Sequence, residues 1–147
     1  MDILVADAAI AHIDAIEALE KQCFSAPWTR EQLLRQLPDE RHEFLVALDE
    51  GQPVGYVGMM CVLDEGYIAN VAVSPACRRQ GIGDGLIVEL LHRAVSRDLA
   101  FVTLEVRAGN EAAKALYAKH GFVPVGTRKK YYTSPTEDAI LMTKFLK

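Results

Sequence analysis

Between residues 77 and 85 the chain reads Cys77-Arg78-Arg79-Gln80-Gly81-Ile82-Gly83-Asp84-Gly85, after the apolar run Tyr67 to Val73 and before the amphipathic segment Leu86 to Arg97. A strand, a glycine turn and a helix start make a cradle for an anion. The first backbone N–H groups of a helix lack internal partners and carry partial positive charge from the helix dipole, so a phosphate or pyrophosphate fits there. Gly81 and Gly83 suit the task, because glycine accepts positive φ and lets an anion approach the backbone. Two readings stand at this point: a site for a phosphorylated cofactor, or a turn that only joins strand to helix. A dinucleotide-binding unit fits less well, since the third glycine and the downstream acidic residue are missing. The three cysteines, Cys23, Cys61 and Cys77, lack the paired spacing of a zinc or redox site.

The elements that position this turn follow from hydrophobic spacing. Ile10, Ile13, Ile16, Leu19 and Cys23 recur every three or four positions and predict a helix after a short strand at Ile3 to Ala6. Ser25-Ala26-Pro27-Trp28 breaks that helix. Thr29 with Gln32 makes a capping box for a second helix running to about Leu37, before Pro38. Strands at Phe44 to Leu48, Val54 to Leu63 and Tyr67 to Val73 make a three-stranded meander, and Asn70 interrupts the last of them where a bulge fits. Leu86, Ile87, Leu90, Leu91, Ala94 and Val95 line one face of the next helix, with Glu89, His92, Arg93 and Arg97 outside. Phe101 to Arg107 alternates, with Val102, Leu104 and Val106 on one side and Thr103, Glu105 and Arg107 on the other. Asn110 caps a helix through His120, Gly121 follows its end, and two last strands fit Phe122 to Thr127 and Asp138 to Phe145.

Three motifs in this order resemble the GNAT superfamily of acetyl-CoA-dependent N-acetyltransferases: Arg78-x-x-Gly81-x-Gly83 after a strand, Leu104-Glu105-Val106-Arg107-Ala108-Gly109-Asn110, and Ala115-Leu116-Tyr117-x-x-x-Gly121-Phe122. Further details are similar to the RimI branch of that superfamily: Ala26-Pro27-Trp28, Asn110 after Glu105-Val106-Arg107, and Tyr131-Tyr132 followed by Glu137-Asp138-Ala139-Ile140-x-Met142. That branch acetylates the N-terminal alanine of small-subunit ribosomal protein eighteen. Asp84 and Gly85 depart from the pattern, standing where a basic or small residue and an alanine are more usual. The resemblance implies a single GNAT domain over residues 1–147, layered α/β (α+β), with a mixed central sheet of about six to seven strands flanked by helices. Splayed strands in that sheet would form the acetyl-CoA cleft.

It also implies roles. Glu105 would be the general base, since an α-amine with an ordinary pKa of about 7.7–8.0 loses its proton more easily than a lysine near 10.4. Tyr117 would protonate the leaving CoA thiolate. Val71, Ala72 and Val73 would hold the acetyl and pantetheine portion, and the run Arg78, Arg79, Gln80, Gly81, Ile82, Gly83 and Asp84 the pyrophosphate. Asn110 would contact the pantetheine arm, while Trp28, Tyr131 and Tyr132 would line the peptide entrance. Plainer readings stay open: Glu105 as a solvated strand residue, Tyr117 as a core tyrosine with a satisfied hydroxyl, Asn110 as an N-cap alone, and the aromatic trio as a small core under the loops. Arg128-Lys129-Lys130 reads as a solvated hairpin, and Asp39, Glu40 and Glu65 are candidates to attract a basic peptide.

With 147 residues the chain is long enough to bury a core without disulfides, and it is expected to fold alone and act as a monomer. A net charge of −4 argues against nucleic-acid binding and favours a cationic acceptor, such as the N-terminus of a ribosomal protein or another basic peptide. Asp2, Asp7, His12 and Asp14 occupy the region where a signal peptide needs an apolar core, and no apolar run reaches membrane-spanning length. A cytoplasmic enzyme without a metal and without membrane contact is the expectation. Alternatives are acetylation of a small amine or a lysine, or an acyl-CoA-binding module without turnover.

Overall fold

The computed structural model describes residues 3–147, and Asp2, read above with the acidic N-terminus, lies outside them. Strands β1 (Ile3–Asp7), β2 (His42–Asp49), β3 (Gln52–Val62), β4 (Glu65–Val73), β5 (Phe101–Arg107), β6 (Val123–Tyr132) and β7 (Glu137–Phe145) form one sheet in the order β1-β2-β3-β4-β5-β7-β6. Every neighbouring pair is antiparallel except β4 and β5. Parallel neighbours need a crossover, and α3 (Ile82–Ser96) supplies it. Helices α1 (Ile13–Cys23) and α2 (Arg30–Leu34) precede β2, and α4 (Glu111–Lys119) links β5 to β6. The sheet is mixed, open and seven-stranded, within the expected range.

Two apolar layers sandwich it. Phe44, Val46, Tyr56 and Ala72 pack with Ile13, Ile16, Leu19 and Leu33 on one face. Leu45, Ala47, Val57 and Met59 pack with Leu86, Ile87, Leu90 and Ala94 on the other, where Val102, Leu104 and Val106 of β5 join them. Both faces of β2 are therefore covered, which is why Phe44 to Leu48 reads as an unbroken apolar run.

Two irregularities shape the site. Gly58 faces Asn70 and Met59 faces Ile68, so Ala69 is an extra residue and β4 bulges beside Asn70, where the sequence suggested. Strands β4 and β5 pair only from Glu65 to Tyr67 with Phe101 to Thr103. Beyond Tyr67 they part, and a gap opens toward Val73 and Arg107.

Several expectations change. Ile10 belongs to a 3-10 turn before α1 and is 66% exposed. The capping box at Thr29 and Gln32 is present, but α2 ends at Leu34 and gives way to turns before Pro38. Val95 lies on the outer face of α3. Arg93 and Arg97 are not free solvated charges, because both converge on the buried Glu43 of β2. Strand β6 runs past Thr127 to Tyr132, with register shifts after Pro124 and Arg128. It is an edge strand exposed through Tyr131, so its basic run meets no burial penalty.

Candidate active site

The gap between β4 and β5 opens on two cavities of 510 Å³ and 670 Å³. They meet at a common wall of Cys23, Phe24, Val71, Asn110, Ala113 and Tyr117.

The first cavity lies at the amino end of α3. Gly81, its N-cap, is left-handed at φ 78°, and no side chain caps the helix, so its first N–H groups face open space. Arg79 just before it is also left-handed, at φ 64°, an uncommon conformation for a residue with a Cβ. Gly83 also borders the cavity, and a Cβ there would come within 3.2 Å of Leu116 Cδ2, so its bareness lets α4 pack against α3 as well. On β4, the Val73 carbonyl accepts from Cys23 Sγ at 3.6 Å and Arg78 Nε at 3.3 Å, so Val73 turns its backbone toward the gap. Val71, two residues earlier, faces the same way, whereas Ala72 between them turns its backbone to β3. Ile82 and Arg78 border the cavity; Gln80 does not.

Asp84 also borders it, but its charge is answered. Its Oδ1 lies 2.7 Å from His120 Nε2 and 3.1 Å from Lys119 Nζ, both at the end of α4. The bond from His120 holds the Asp84 carboxyl below the usual carboxylate range. The unexpected Gly85 has only Val5 Cγ2 within reach of a Cβ, at an ordinary 3.9 Å, and nothing in the structure explains it.

The second cavity is bordered by Trp28, Glu105, Tyr131 and Tyr132. Glu105 lies on the polar side of β5, with Arg128 Nε 3.2 Å from its carboxylate. Hydrogen bonding to Glu105 also raises the pKa of the Tyr131 phenol. The Tyr131 and Tyr132 rings meet edge to face at 5.1 Å, and the Arg107 guanidinium stacks 4.5 Å from the centre of the Tyr132 ring. Arg107 further donates to the carbonyls of Thr133 and Pro135, which ties the turn after β6 to the end of β5. Burial pushes the Tyr132 phenol up to about 12.

Tyr117 borders both cavities. Its ring packs against Phe122 at 5.8 Å, and burial holds its phenol well above its ordinary pKa. Tyr117 belongs to the buried core, and among the described residues its hydroxyl makes no hydrogen bond to another protein group. Asn110 does cap α4, its Oδ1 accepting from the Ala113 N–H at 3.1 Å, and it faces both cavities as well.

Sequence reasoning missed three contributors. Glu20 of α1 is fully buried, accepts from the Trp28 N–H at 2.7 Å and from Asn70 Nδ2 at 3.0 Å, and joins two walls of the second cavity. Arg128 stays exposed, as the hairpin reading expected, but its Nε also pairs with Glu105. His120 answers Asp84. Only the Asn70 interruption hinted at the first of these, while the other two depend on register and helix packing. Asp39, Glu40 and Glu65 border neither cavity. Among the described residues no helix is long and apolar enough to cross a membrane.

The profile of the Acetyltransferase (GNAT) family matches residues 13–122. The [ribosomal protein bS18]-alanine N-acetyltransferase of Escherichia coli strain K12 is 36% identical over 126 residues, 84% of each chain. The enzyme of the same name from Haemophilus influenzae is 32% identical over 131 residues, 87% of this chain and 88% of that one. The crystal structure of the ribosomal-protein-S18-alanine N-acetyltransferase from Escherichia coli superposes with a TM-score of 0.91 at 31% identity, covering 99% of this chain and 94% of that one.

Proposed function

The chain belongs to the GNAT family of acetyltransferases, and from that membership we propose that it transfers acetyl from acetyl-CoA to the α-amine of a peptide beginning with alanine. The acceptor is the N-terminus of small-subunit ribosomal protein bS18 or another basic peptide. The observation that carries this reading is the junction: a carboxylate on one side and an unpartnered phenol facing both sides.

The first cavity fits acetyl-CoA. Its uncapped helix start and the backbone from Arg79 to Asp84 suit a pyrophosphate, with Gly81 supplying the left-handed turn and Arg78 a cation. The backbone of Val71 and Val73 faces the gap and suits a pantetheine amide, as does the amide of Asn110 left free by its cap bond. The donor supplies a thioester carbonyl for the amine to attack.

In the second cavity Trp28, Tyr131 and Tyr132 hold the first residues of the acceptor. Glu105, directly or through a water, takes the amine proton, which an α-amine gives up far more readily than a lysine. The N–C bond forms, the C–S bond breaks, and the sulfur takes the Tyr117 proton. Burial keeps that phenol protonated until the thiolate appears, and the thiolate is desolvated in the same place, so both pKa values move together. Glu105 passes its proton to solvent, and the second proton, which the nitrogen loses as the amide forms, restores Tyr117 through water. Intact-mass analysis of ribosomal proteins from a strain lacking this gene tests the acceptor. The expected result is a bS18 lighter by one acetyl group or, with bS18 unchanged, another basic protein lighter by one; unchanged masses throughout contradict it.

A further inference from the structure

Glu20 is the only fully buried carboxylate among the described residues, set in the apolar layer beside Ile13, Ile16 and Leu19. Both of its oxygens are engaged, and neither partner is charged: Oε1 accepts the Trp28 backbone N–H and Oε2 accepts Asn70 Nδ2. Burial raises its pKa, so ionisation there is costly. Stability does not explain such a group, since an apolar side chain of similar volume is often as stable or more so. What the carboxylate does is fix a distance. Trp28 belongs to the loop after α1 that walls the second cavity, and Asn70 stands between the bulged Ala69 and Val71, whose backbone faces the gap.

We propose that Glu20 is a positioning residue for acetyl transfer, clamping the Trp28 loop to the Asn70 bulge so that the acceptor is held against the point where the two cavities meet. The proposal rests on the reading of the second cavity as the acceptor site. The clamp works by hydrogen bonding rather than by charge, so a glutamine in place of Glu20 can keep it: its side-chain oxygen accepts from the Trp28 N–H, and its amide nitrogen donates to Asn70 once the Asn70 amide turns over. A leucine cannot.

The test compares Glu20→Leu, Glu20→Gln and Asn70→Ala in the full chain, with an alanine-initiated peptide and acetyl-CoA as substrates. Trp28 is the sole tryptophan, so its fluorescence reports the loop without any turnover. For Glu20→Leu the expected result is a peptide kcat/KM lower by roughly ten- to hundredfold, with an unchanged Kd for acetyl-CoA, an unchanged or higher Tm, and Trp28 more open to acrylamide quenching. Glu20→Gln should stay within about threefold of wild type in each readout, and Asn70→Ala should show the leucine pattern in weaker form. If Glu20→Leu fails to fold, Asn70→Ala, at a half-buried position, decides alone. Wild-type kinetics and quenching in the leucine or alanine variant overturn the clamp while leaving the acceptor reading intact. A wild type inert on the peptide overturns the acceptor reading, and the clamp's role in transfer with it.

Discussion

At the scale of single residues, the chemistry turns on groups whose surroundings differ from what their neighbours in sequence suggest. Tyr117 is packed on Phe122, borders both cavities and makes no hydrogen bond through its hydroxyl to another described residue. Tyr117→Phe should therefore keep Tm within a degree or two, because no protein hydrogen bond is lost, while kcat falls by ~10²-fold or more. A structural tyrosine would leave kcat alone; thermal melting beside steady-state kinetics separates the two. Glu105→Gln should lower kcat/KM by a similar factor, most at low pH, with partial recovery as pH rises past the acceptor α-amine's pKa of about 7.7–8.0 and deprotonated acceptor accumulates unaided. Asp84 bears on the cofactor rather than on the chemistry. Its carboxylate sits in the first turn of α3, answered by His120 and Lys119. Asp84→Ala removes a negative charge from the cradle and frees Lys119, so the KM for acetyl-CoA should fall by about two- to fivefold, the worth of about 0.3–1 kcal/mol at a helix terminus. An unchanged or higher KM, measured with peptide saturating, contradicts that.

At the scale of elements, two glycines of α3 that look alike in sequence have opposite physical standing. Gly83 makes room for Leu116, while Gly85 faces only an ordinary contact with Val5. Gly85→Ala should stabilise the protein by about 0.5–1 kcal/mol, through helix propensity alone, and Gly83→Ala should not. Chemical denaturation of the two variants reads the difference directly. The elements themselves were largely legible. Alternation in Phe101 to Arg107 put Glu105 on the open side of β5, and the Thr29 to Gln32 capping box marked the start of α2. The length of β6 was not legible, because Arg128-Lys129-Lys130 has poor strand propensity and forms strand only by pairing with β7 as an exposed edge. That extension is what carries Tyr131 and Tyr132 to the second cavity and sets Arg128 beside Glu105.

At the scale of the whole molecule, the site exists because one sheet does two incompatible things. Strands β4 and β5 are parallel neighbours at one end and part at the other, and the bulge at Ala69 helps turn β4 away. The helices of one face bring Trp28 to the gap, and those of the other bring Gly81 and Tyr117. Motif order made the glycine turn, Glu105 and Tyr117 legible in the sequence, since each lies inside a local pattern. Glu20, Arg128 and His120 were not, because an acid or a base in a polar stretch reads as solvated until its distant partner is known: Asn70 for the first, Glu105 for the second, Asp84 for the third. What joins these scales is the claim that the junction serves a peptide α-amine. CoA release measured side by side with an alanine-initiated peptide, the same peptide N-terminally blocked but carrying an internal lysine, and spermidine tests it most directly. Turnover is expected with the first, lost in Glu105→Gln, and little with the other two. Equal or faster turnover with the blocked peptide or with spermidine would contradict it.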